Sequence, residues 1–359
     1  PFGIWMTQKI KQGTLKNVLI HVPLETKNAQ FDLVDEQTLP RVSFDFSGLE
    51  ADYHSPLTPI TGASGVGIYE DDQLTMNLSG GSIMDLSFAP SVIKISDLQK
   101  KGAGHAHLDL RFAGPLKDVL HYITLDPISL GKKLPFDPSA AGGKGDYHVT
   151  LSFPTTHDLP ASEIDVDVQA DLFDISLPGA VKKQTLTGGP YKLSVADGTI
   201  SLSGAGALGG RPLTLTKWVL PLHPAKGQDS MTATATLETD TDLRTAFGAN
   251  LPFLKGSVPL TLSYAEKESG DEVLDLSADL TPTEIAFTSL SCQKETGKSA
   301  RASAQVLIQD HNIQKASNLM LEAPGFKIKD GTLTFGPVQG DWDLTGAILP
   351  TFALARSEA

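Results

Sequence analysis

Several segments of the chain alternate apolar and polar residues, and this alternation most constrains the fold. In EIDVDVQADL, at 163–172, the apolar side chains of Ile164, Val166 and Val168 fall on one side and the acidic residues fall on the other. A period of two is that of a β-strand whose two faces meet different surroundings. The pattern therefore predicts a sheet with one polar face and one apolar face.

Composition supports a β-rich chain and excludes several other classes. The 359 residues include 33 Gly and 23 Pro, which in a helix interior cost about 1 and about 3 kcal/mol relative to Ala. This content excludes a mostly helical protein. With 40% hydrophobic and 20% charged residues, the chain is too apolar to be disordered. It contains no run of about 18 apolar residues that could span a bilayer.

The charge balance and the cysteine content exclude further functions. The formal net charge is -13, whereas proteins that bind nucleic acid normally carry a basic surface. The only cysteine, Cys292, excludes an intrachain disulfide and a cysteine-based zinc cluster. We expect Cys292 to be a small, partly buried residue.

A group of elements recurs three times in the same order, which predicts a repeated module. Each group has a short helix, a strand opened by Gly13, Gly145 or Gly256, an alternating strand, and a Gly/Asp turn before further strands. We predict the helices at 2–11, 115–123 and 241–248. The Gly/Asp turns are predicted within 70–80, at Gly198 and at Gly331. Stacked repeats bury a face that one unit cannot bury alone. The prediction is one continuous segment, 1–359, with approximate units 2–113, 114–240 and 241–359.

These observations lead to a fold prediction with one alternative. The chain is predicted to be mainly β: an elongated, repetitive, mostly antiparallel β-sheet curved into an open apolar groove, a β-taco, with a few short helices. The alternative is an ordinary β-sandwich, in which the apolar faces of two sheets cover each other and need the same alternation. The period alone does not distinguish the two.

If the apolar face is open, its side chains are candidates for lining a lipid-binding groove. Removing an acyl chain from water contributes about 0.8 kcal/mol per CH₂, and headgroups would remain in water. The candidates share the apolar side of predicted strands, and they are Val149, Leu151, Phe153, Ile164, Val166, Val168, Leu172, Leu193, Val195, Leu213, Leu215, Leu274, Leu276 and Leu280.

The order of several stretches carries a resemblance to a known family. They are FGIWMTQKIKQGTLKNVLIHVPLE near the start, LEADYHSPLTPITGASGVGI at 49–68, the segment 78–123, and ASEIDVDVQADLFDISLPGAV followed by GGPYKLSVADGTISLSGAGALGGRPLTL. Together they resemble the AsmA-like proteins of Gram-negative bacteria, in particular the long YhdP-like and TamB-like members. The resemblance extends to about residue 345.

The resemblance implies a function and a location. Such proteins are long β-grooves, similar to bridge-like lipid transfer proteins, that are anchored in the inner membrane and cross the periplasm. They conduct phospholipid toward the outer membrane without an enzymatic step or a cofactor. The implied partners are phospholipids or other acyl-chain lipids, the inner membrane through an anchor outside this segment, and envelope proteins at the ends. Since the chain begins with Pro1, we expect a segment of a longer polypeptide.

Motifs for other chemistry are weak. His105, His107 and Asp109 alternate as metal ligands can, but the run lacks a further ligand, and we expect them on the polar face of a strand. The glycine runs at 62–67 and 204–210 lack the Lys-Ser/Thr of a phosphate loop, and we expect them to be turns between strands. Neither pattern predicts an active site or a metal site.

Two further interpretations stay open. A β-sandwich or adhesin-like module that recognises carbohydrate or a protein partner is the alternative function, although clustered exposed aromatic rings are not evident. The basic pairs at 100–101, 132–133 and 182–183 either meet phosphate headgroups at a groove rim or simply solvate loops.

Overall fold

The computed structural model describes most of the chain as two compact units. Unit 1 comprises Pro1–Gly179 and Lys192–Asp197, and unit 2 comprises Ala180–Tyr191 and Gly198–Ala359. None of the helices described is long and apolar enough to cross a membrane. The described residues are 9–27, 30–33, 39–53, 56–99, 104–126, 128–130, 134, 136–156, 163–181, 184–221, 230–238, 251–267, 271–288, 292–309, 312–338, 341–349 and 351–354.

Unit 1 consists of strands with one α-helix and one short 3-10 helix, Pro138–Ala140, among its described residues. The α-helix, α1, is Leu116–Thr124. The strands are β1 Ile10–His21, β2 Leu24–Lys27, β3 Gln30–Leu33, β4 Arg41–Ala51, β5 Ile60–Glu70, β6 Gln73–Ile83, β7 Leu86–Phe88, β8 Ser91–Ser96, β9 His105–Pro115, β10 Gly142–Pro154 and β11 Asp165–Val181.

The next strand, β12 Gln184–Ala196, contributes residues to both units, and the later strands belong to unit 2. They are β13 Thr199–Leu208, β14 Arg211–Pro221, β15 Ser230–Glu238, β16 Leu254–Glu266, β17 Glu272–Asp279, β18 Thr283–Phe287, β19 Cys292–Lys294, β20 Arg301–Gln309, β21 Asn312–Ala323, β22 Phe326–Val338, β23 Asp341–Ile348 and β24 Thr351–Leu354.

Strands in both units pair antiparallel, mostly with their neighbours in the chain. In unit 1 the order is β1–β4–β5–β6, then β7 and β8 end to end, then β9–β10–β11. In unit 2 the order is β13–β14–β15–β16–β17–β20–β21–β22, with β23 and β24 end to end along β22. The prediction of a mainly β chain with mostly antiparallel sheet and few helices is confirmed, and it is consistent with a groove.

The helix predicted at 115–123 is confirmed as α1, which follows β9 directly after Pro115. Proline is tolerated where a helix begins because the missing N–H would have no partner there. The helices predicted at 2–11 and 241–248 lie outside the described residues, apart from Lys9 and the start of β1. The boundaries of the three predicted repeats stay a prediction; that at 113–114 falls inside β9.

Several glycines stand inside strands, where the sequence predicts strand starts or turns. Gly13, Gly145 and Gly256 lie two or three residues into β1, β10 and β16. Gly331 lies in the middle of β22, so the turn predicted there is wrong, and the chain reverses at Pro324 and Gly325 instead. Gly325 has a φ of +89°, which a residue with a side chain rarely adopts.

The turn predicted at 62–67 is wrong, and the turn predicted at 204–210 is confirmed only at Gly209 and Gly210, between β13 and β14. The other glycines of these runs lie in strands, where two of them make room for aromatic rings. The run at 62–67 lies within β5, and a Cβ added to Gly67 would come within 2.2 Å of Phe44 Cζ. Most of the run at 204–210 lies within β13, and a Cβ on Gly206 would come within 2.0 Å of Tyr191 Oη. Each glycine therefore lets a ring on the neighbouring strand lie across it.

A hairpin covers part of the apolar side of unit 2. β18 and β19 pair with each other, and β18 also pairs with the start of β16. The hairpin contributes to a core, which we call the hairpin core, of Val258, Leu280, Ile285, Cys292, Ala300, Leu321, Phe326 and Ile328. Cys292 is buried there, more fully than the sequence suggested.

Lys294, at the end of β19, ties the hairpin to the preceding turn. Its side chain is buried, and Nζ donates to the carbonyl oxygens of Leu280, Thr281 and Thr283 at 2.5, 3.0 and 2.6 Å. Burial lowers the pKa of this ammonium, and the charge of Asp279 opposes the shift. The lysine therefore satisfies three backbone acceptors that the fold would otherwise leave without a side-chain donor.

We predict that Lys294→Met destabilises unit 2 by about 3 kcal/mol, because three hydrogen bonds from a buried ammonium are lost at roughly 1 kcal/mol each. Urea unfolding followed by tryptophan fluorescence measures the change. Lys298→Met, at an exposed position in the adjacent turn, is the control and should unfold like the wild type. Equal unfolding midpoints for the two variants would contradict this role.

An ion-pair network links three strands on the polar side of unit 2. Glu322 on β21 accepts hydrogen bonds from Lys327 Nζ on β22 and from Arg301 on β20, the latter at 2.5 and 2.9 Å. Lys327 and then Arg301 lower the pKa of the Glu322 carboxyl from 4.5 to about 2.

This shift predicts a pH dependence of stability. Because the native pKa lies below the unfolded one, the contribution of Glu322 is present above about pH 4.5 and is lost as the pH falls toward 2. Glu322→Gln should therefore melt below the wild type at pH 7, and the difference between the two should become small as the pH falls to 2. Melting curves across this range test the prediction, and a constant difference would contradict it.

Candidate apolar binding face

In unit 1, apolar side chains from five strands lie in one row across the sheet. Residues directly opposite each other in an antiparallel pair share a face. The register places Met76 opposite Ile93, Ile93 opposite Leu108, Leu108 opposite Leu151, and Leu151 opposite Val166. We call these five residues the apolar row. The next row along the strands continues it with Leu110, Val149 and Val168.

The apolar row is only partly covered by protein. Met76, Ile93, Leu108 and Leu151 are half-buried, and Val166 is 40% exposed. In the core of a sandwich, a second sheet would bury such mid-strand side chains almost completely. The described part of unit 1 therefore leaves a continuous apolar strip in contact with solvent.

The same face is closed farther along the strands, where aromatic rings lie beneath α1. Phe112 stacks on Tyr147 with ring centroids 5.2 Å apart and meets Phe88 edge to face at 6.1 Å. Leu116 and Leu120 of α1 are buried, and the helix packs on β9 and β10. Within unit 1, the apolar face is therefore covered at the end beneath α1 and half-exposed along the apolar row.

Two side chains fix α1 in place over this end. Asp118 is buried in its first turn and accepts a hydrogen bond from the backbone N–H of Asp85 at 3.2 Å. Tyr122 Oη lies 2.5 Å from Tyr53 Oη, and burial is the main cause that raises the pKa of both phenols. A carboxylate near a helix N-terminus also interacts favourably with the helix dipole.

Tyr147 is a polar group within this closed end. The residue is 5% exposed, and burial raises the pKa of its phenol. Its ring crosses Gly145, since a Cβ there would lie 2.7 Å from Tyr147 Cζ. No hydrogen-bond partner for Tyr147 Oη is found among the described residues. The hydroxyl is therefore a donor available to a water or ligand atom that enters this end.

The opposite face of the same strands is polar and charged. His148 Nε2 lies 2.9 Å from Asp109 Oδ1, and Lys192 Nζ donates to Asp171 Oδ1 at 3.0 Å. His105 and His107 are exposed on this face, as the sequence predicts. In the part of the chain that the structure describes, no three His, Cys, Asp or Glu side chains are grouped as a metal site requires.

The predicted lining residues fall into two groups. Leu172, Leu213, Leu215, Leu274 and Leu280 are buried, and Leu280 belongs to the hairpin core. The others retain partial exposure: Val149, Leu151, Phe153, Ile164, Val166, Val168, Leu193, Val195 and Leu276. The lining of a groove stays a prediction for both groups, but only the second group is in contact with solvent.

Sequence reasoning missed part of the apolar strip. Met76, Ile93, Leu108 and Leu110 complete it on β6, β8 and β9. The signal was present in HAHLDLRF, at 105–112, where the apolar residues alternate with the His and Asp that attracted the metal interpretation. The basic pairs at 100–101, 132–133 and 182–183 lie outside the described residues.

Unit 2 has a shallow depression of about 840 Å³. Hydroxyl-bearing side chains on four neighbouring strands contribute to it, namely Thr214, Thr234, Thr261 and Ser277. Arg301 and Asp279 lie at one side, and no aromatic ring is among the residues that line it. A sugar-binding platform normally includes such a ring to stack against, so the depression does not favour the carbohydrate alternative.

We predict that the two zones of the unit 1 face respond differently to truncation. Leu172→Ala, at a 2% exposed position, should cost about 2–4 kcal/mol in unfolding free energy. Leu151→Ala, in the half-exposed row, should cost about 1 kcal/mol. Urea unfolding measures both, and a loss at Leu151 as large as that at Leu172 would indicate a covered core.

Comparison with known proteins identifies no relative of this chain. No protein-family model, no curated protein and no solved structure matches the chain. The resemblance to the AsmA-like family therefore rests on the sequence motifs, and what it implies about activity is a matter for proposal.

Proposed function

We propose that the chain is a non-enzymatic, phospholipid-conducting section of a lipid transfer protein. In this proposal the full-length protein is anchored in the inner membrane, spans the periplasm and contributes to outer-membrane lipid homeostasis. The observation that supports it best is the half-exposed apolar row of unit 1. The AsmA-like resemblance supports the location and the partners.

The apolar row suits an acyl chain better than a compact ligand. Five neighbouring strands at about 4.8 Å spacing give a strip roughly 19 Å long. Its side chains, from Met76 to Val166, offer only hydrocarbon and one thioether. A ligand held here gains free energy from leaving water, at about 0.8 kcal/mol per CH₂.

The apolar face of these strands suits lipid tails and excludes charged headgroups. Asp109, His148 and Asp171 stand on the polar face, on the side opposite the apolar row. A charged headgroup loses its hydration if it enters the strip, so it should remain at the edge in water. Binding of this kind selects for acyl chains and little for headgroups, as transport of bulk phospholipid requires.

Movement along such a strip needs continuity and no reacting group. Each strand contributes a similar apolar side chain to the row. A tail that shifts by one strand therefore leaves one set of apolar contacts and gains another. The free energy therefore changes little along the path. This is the physical basis on which a conduit can work without a catalytic residue or a cofactor.

The experiment is lipid extraction from the purified chain, followed by mass spectrometry. We expect phospholipid to copurify with the wild type, and Leu151→Asp/Val166→Asp to reduce the bound amount at least fivefold, because two carboxylates would enter the apolar row. Both positions retain exposure, so the fold should tolerate the change.

The matched control is Gln169→Asp, at an exposed position on the polar face of β11, the strand that carries Val166. It should retain wild-type lipid. Folded wild-type protein without lipid, which also fails to bind a fluorescent fatty acid, would refute the conduit. Binding of soluble sugars instead would favour the carbohydrate alternative.

A further inference from the structure

The apolar face of unit 1 becomes steadily more covered along the strands toward α1. On β11 the apolar-side residues Val166, Ala170 and Leu172 are 40, 7 and 2% exposed, in this order along the chain. Val168, between the first two, is half-buried. The face is therefore open at one end of the strand and closed at the other.

The closed end is a wall of large side chains. Phe112 and Tyr147 stand opposite each other in the register, and their rings stack. Leu116 and Leu120 of α1 are buried at the same end. The Tyr147 ring points toward Gly145, so its hydroxyl lies on the far side from the open strip. An apolar chain that lies along β10 would meet ring carbon atoms here and could extend no farther.

Polar residues begin at the opposite end of the same strands. Phe153, the last apolar residue of this side of β10, is half-buried, and Thr155 and Thr156 after it are exposed. His105, which stands opposite Pro154, is exposed as well. A charged group can keep its water at this end, whereas it would lose that water at the closed end.

The distance between the two ends matches a lipid tail. From Phe153 to Tyr147 the strand rises about 3.3 Å per residue, which gives roughly 20 Å. Leu151 and Val149 are the side chains between them on the apolar side. The hydrocarbon core of a bilayer is about 30 Å thick, so one phospholipid tail occupies roughly 15 Å of it. A tail that lies along β10 therefore fits between the two ends.

The charges around the closed end fix which way the tail points. Burial, and then the charges of Asp146 and Asp118, raise the pKa of the Tyr147 phenol. Asp118 is itself buried in the first turn of α1. A phosphate placed at this end would lose its hydration and lie near these carboxylates, so only the methyl end of a tail suits it.

From these observations we propose that acyl tails lie along the strands of unit 1, with the methyl end against the closed end, and that the closed end limits the length of tail that binds. This inference rests on the proposed function and adds an orientation and a length selectivity to it. Phe112 and Tyr147 determine the limit, because a CH₂ beyond it finds no apolar surface. A tail in this orientation still shifts sideways from strand to strand while its headgroup stays in water.

The test measures the affinity of the purified chain for saturated fatty acids, from decanoic to docosanoic acid, by displacement of a fluorescent fatty acid. For the wild type, affinity should rise by up to about fourfold per added CH₂ and stop rising near the tail length of ordinary membrane phospholipids. Phe112→Ala removes a ring from the closed end and should allow about two more CH₂ groups to be buried. The affinity for docosanoic relative to hexadecanoic acid should then rise about tenfold.

The matched control is Phe153→Ala, the same substitution at a half-buried position at the polar end. It should weaken the binding of every acid by a similar factor and leave the limit unchanged. Val168→Phe, which fills part of the strip before the closed end, should move the limit to shorter acids. This variant provides a second measurement of the limit if Phe112→Ala does not fold.

Brominated fatty acids test the orientation. Bromine at the methyl end should quench the added fluorescence of Phe112→Trp, and bromine beside the carboxyl group should quench that of Phe153→Trp, each taken as the difference from the wild type. Equal or reversed quenching would overturn the orientation. Affinity without a length limit, or a limit that Phe112→Ala and Val168→Phe both leave unchanged, would overturn the length selectivity but not the conduit. Failure of the wild type to bind any of the acids would refute both.

Discussion

The structure depends on one constraint: its strands are apolar on one side, and an antiparallel sheet does not itself cover that side. Neighbouring strands satisfy the backbone hydrogen bonds, but the side chains of the apolar row still face outward from the sheet. Each unit covers part of this side with a small added element, α1 in unit 1 and the β18–β19 hairpin in unit 2. What these elements leave uncovered is the surface on which the proposed function depends.

The sequence predicted well those features that follow from local periodicity. Alternation in 164–172 gave a strand with the correct faces, and Pro115 with the apolar spacing after it gave α1. The apolar side of β11 was identified residue by residue, including Val166 and Val168. These predictions succeeded because the period of a strand or helix is a property of consecutive residues.

Features that depend on contacts between distant residues were missed. Gly67 belongs inside a strand because Phe44, on the neighbouring strand, needs the space above it. Leu280 is a core residue, not an open one, because a hairpin that follows it in sequence folds back over it. Lys294 looks like any surface lysine until the three carbonyl groups around it are known. None of these relations is visible in a window of neighbouring residues.

The pairing of strands with their chain neighbours has a consequence for how the protein forms. Contacts between residues close in sequence cost little loop entropy, and sheets built from them fold faster than sheets built from distant strands. β5 can pair with β4 as soon as both exist, and it needs nothing from the later part of the chain. The sheet can therefore grow strand by strand during synthesis, from the amino end onward.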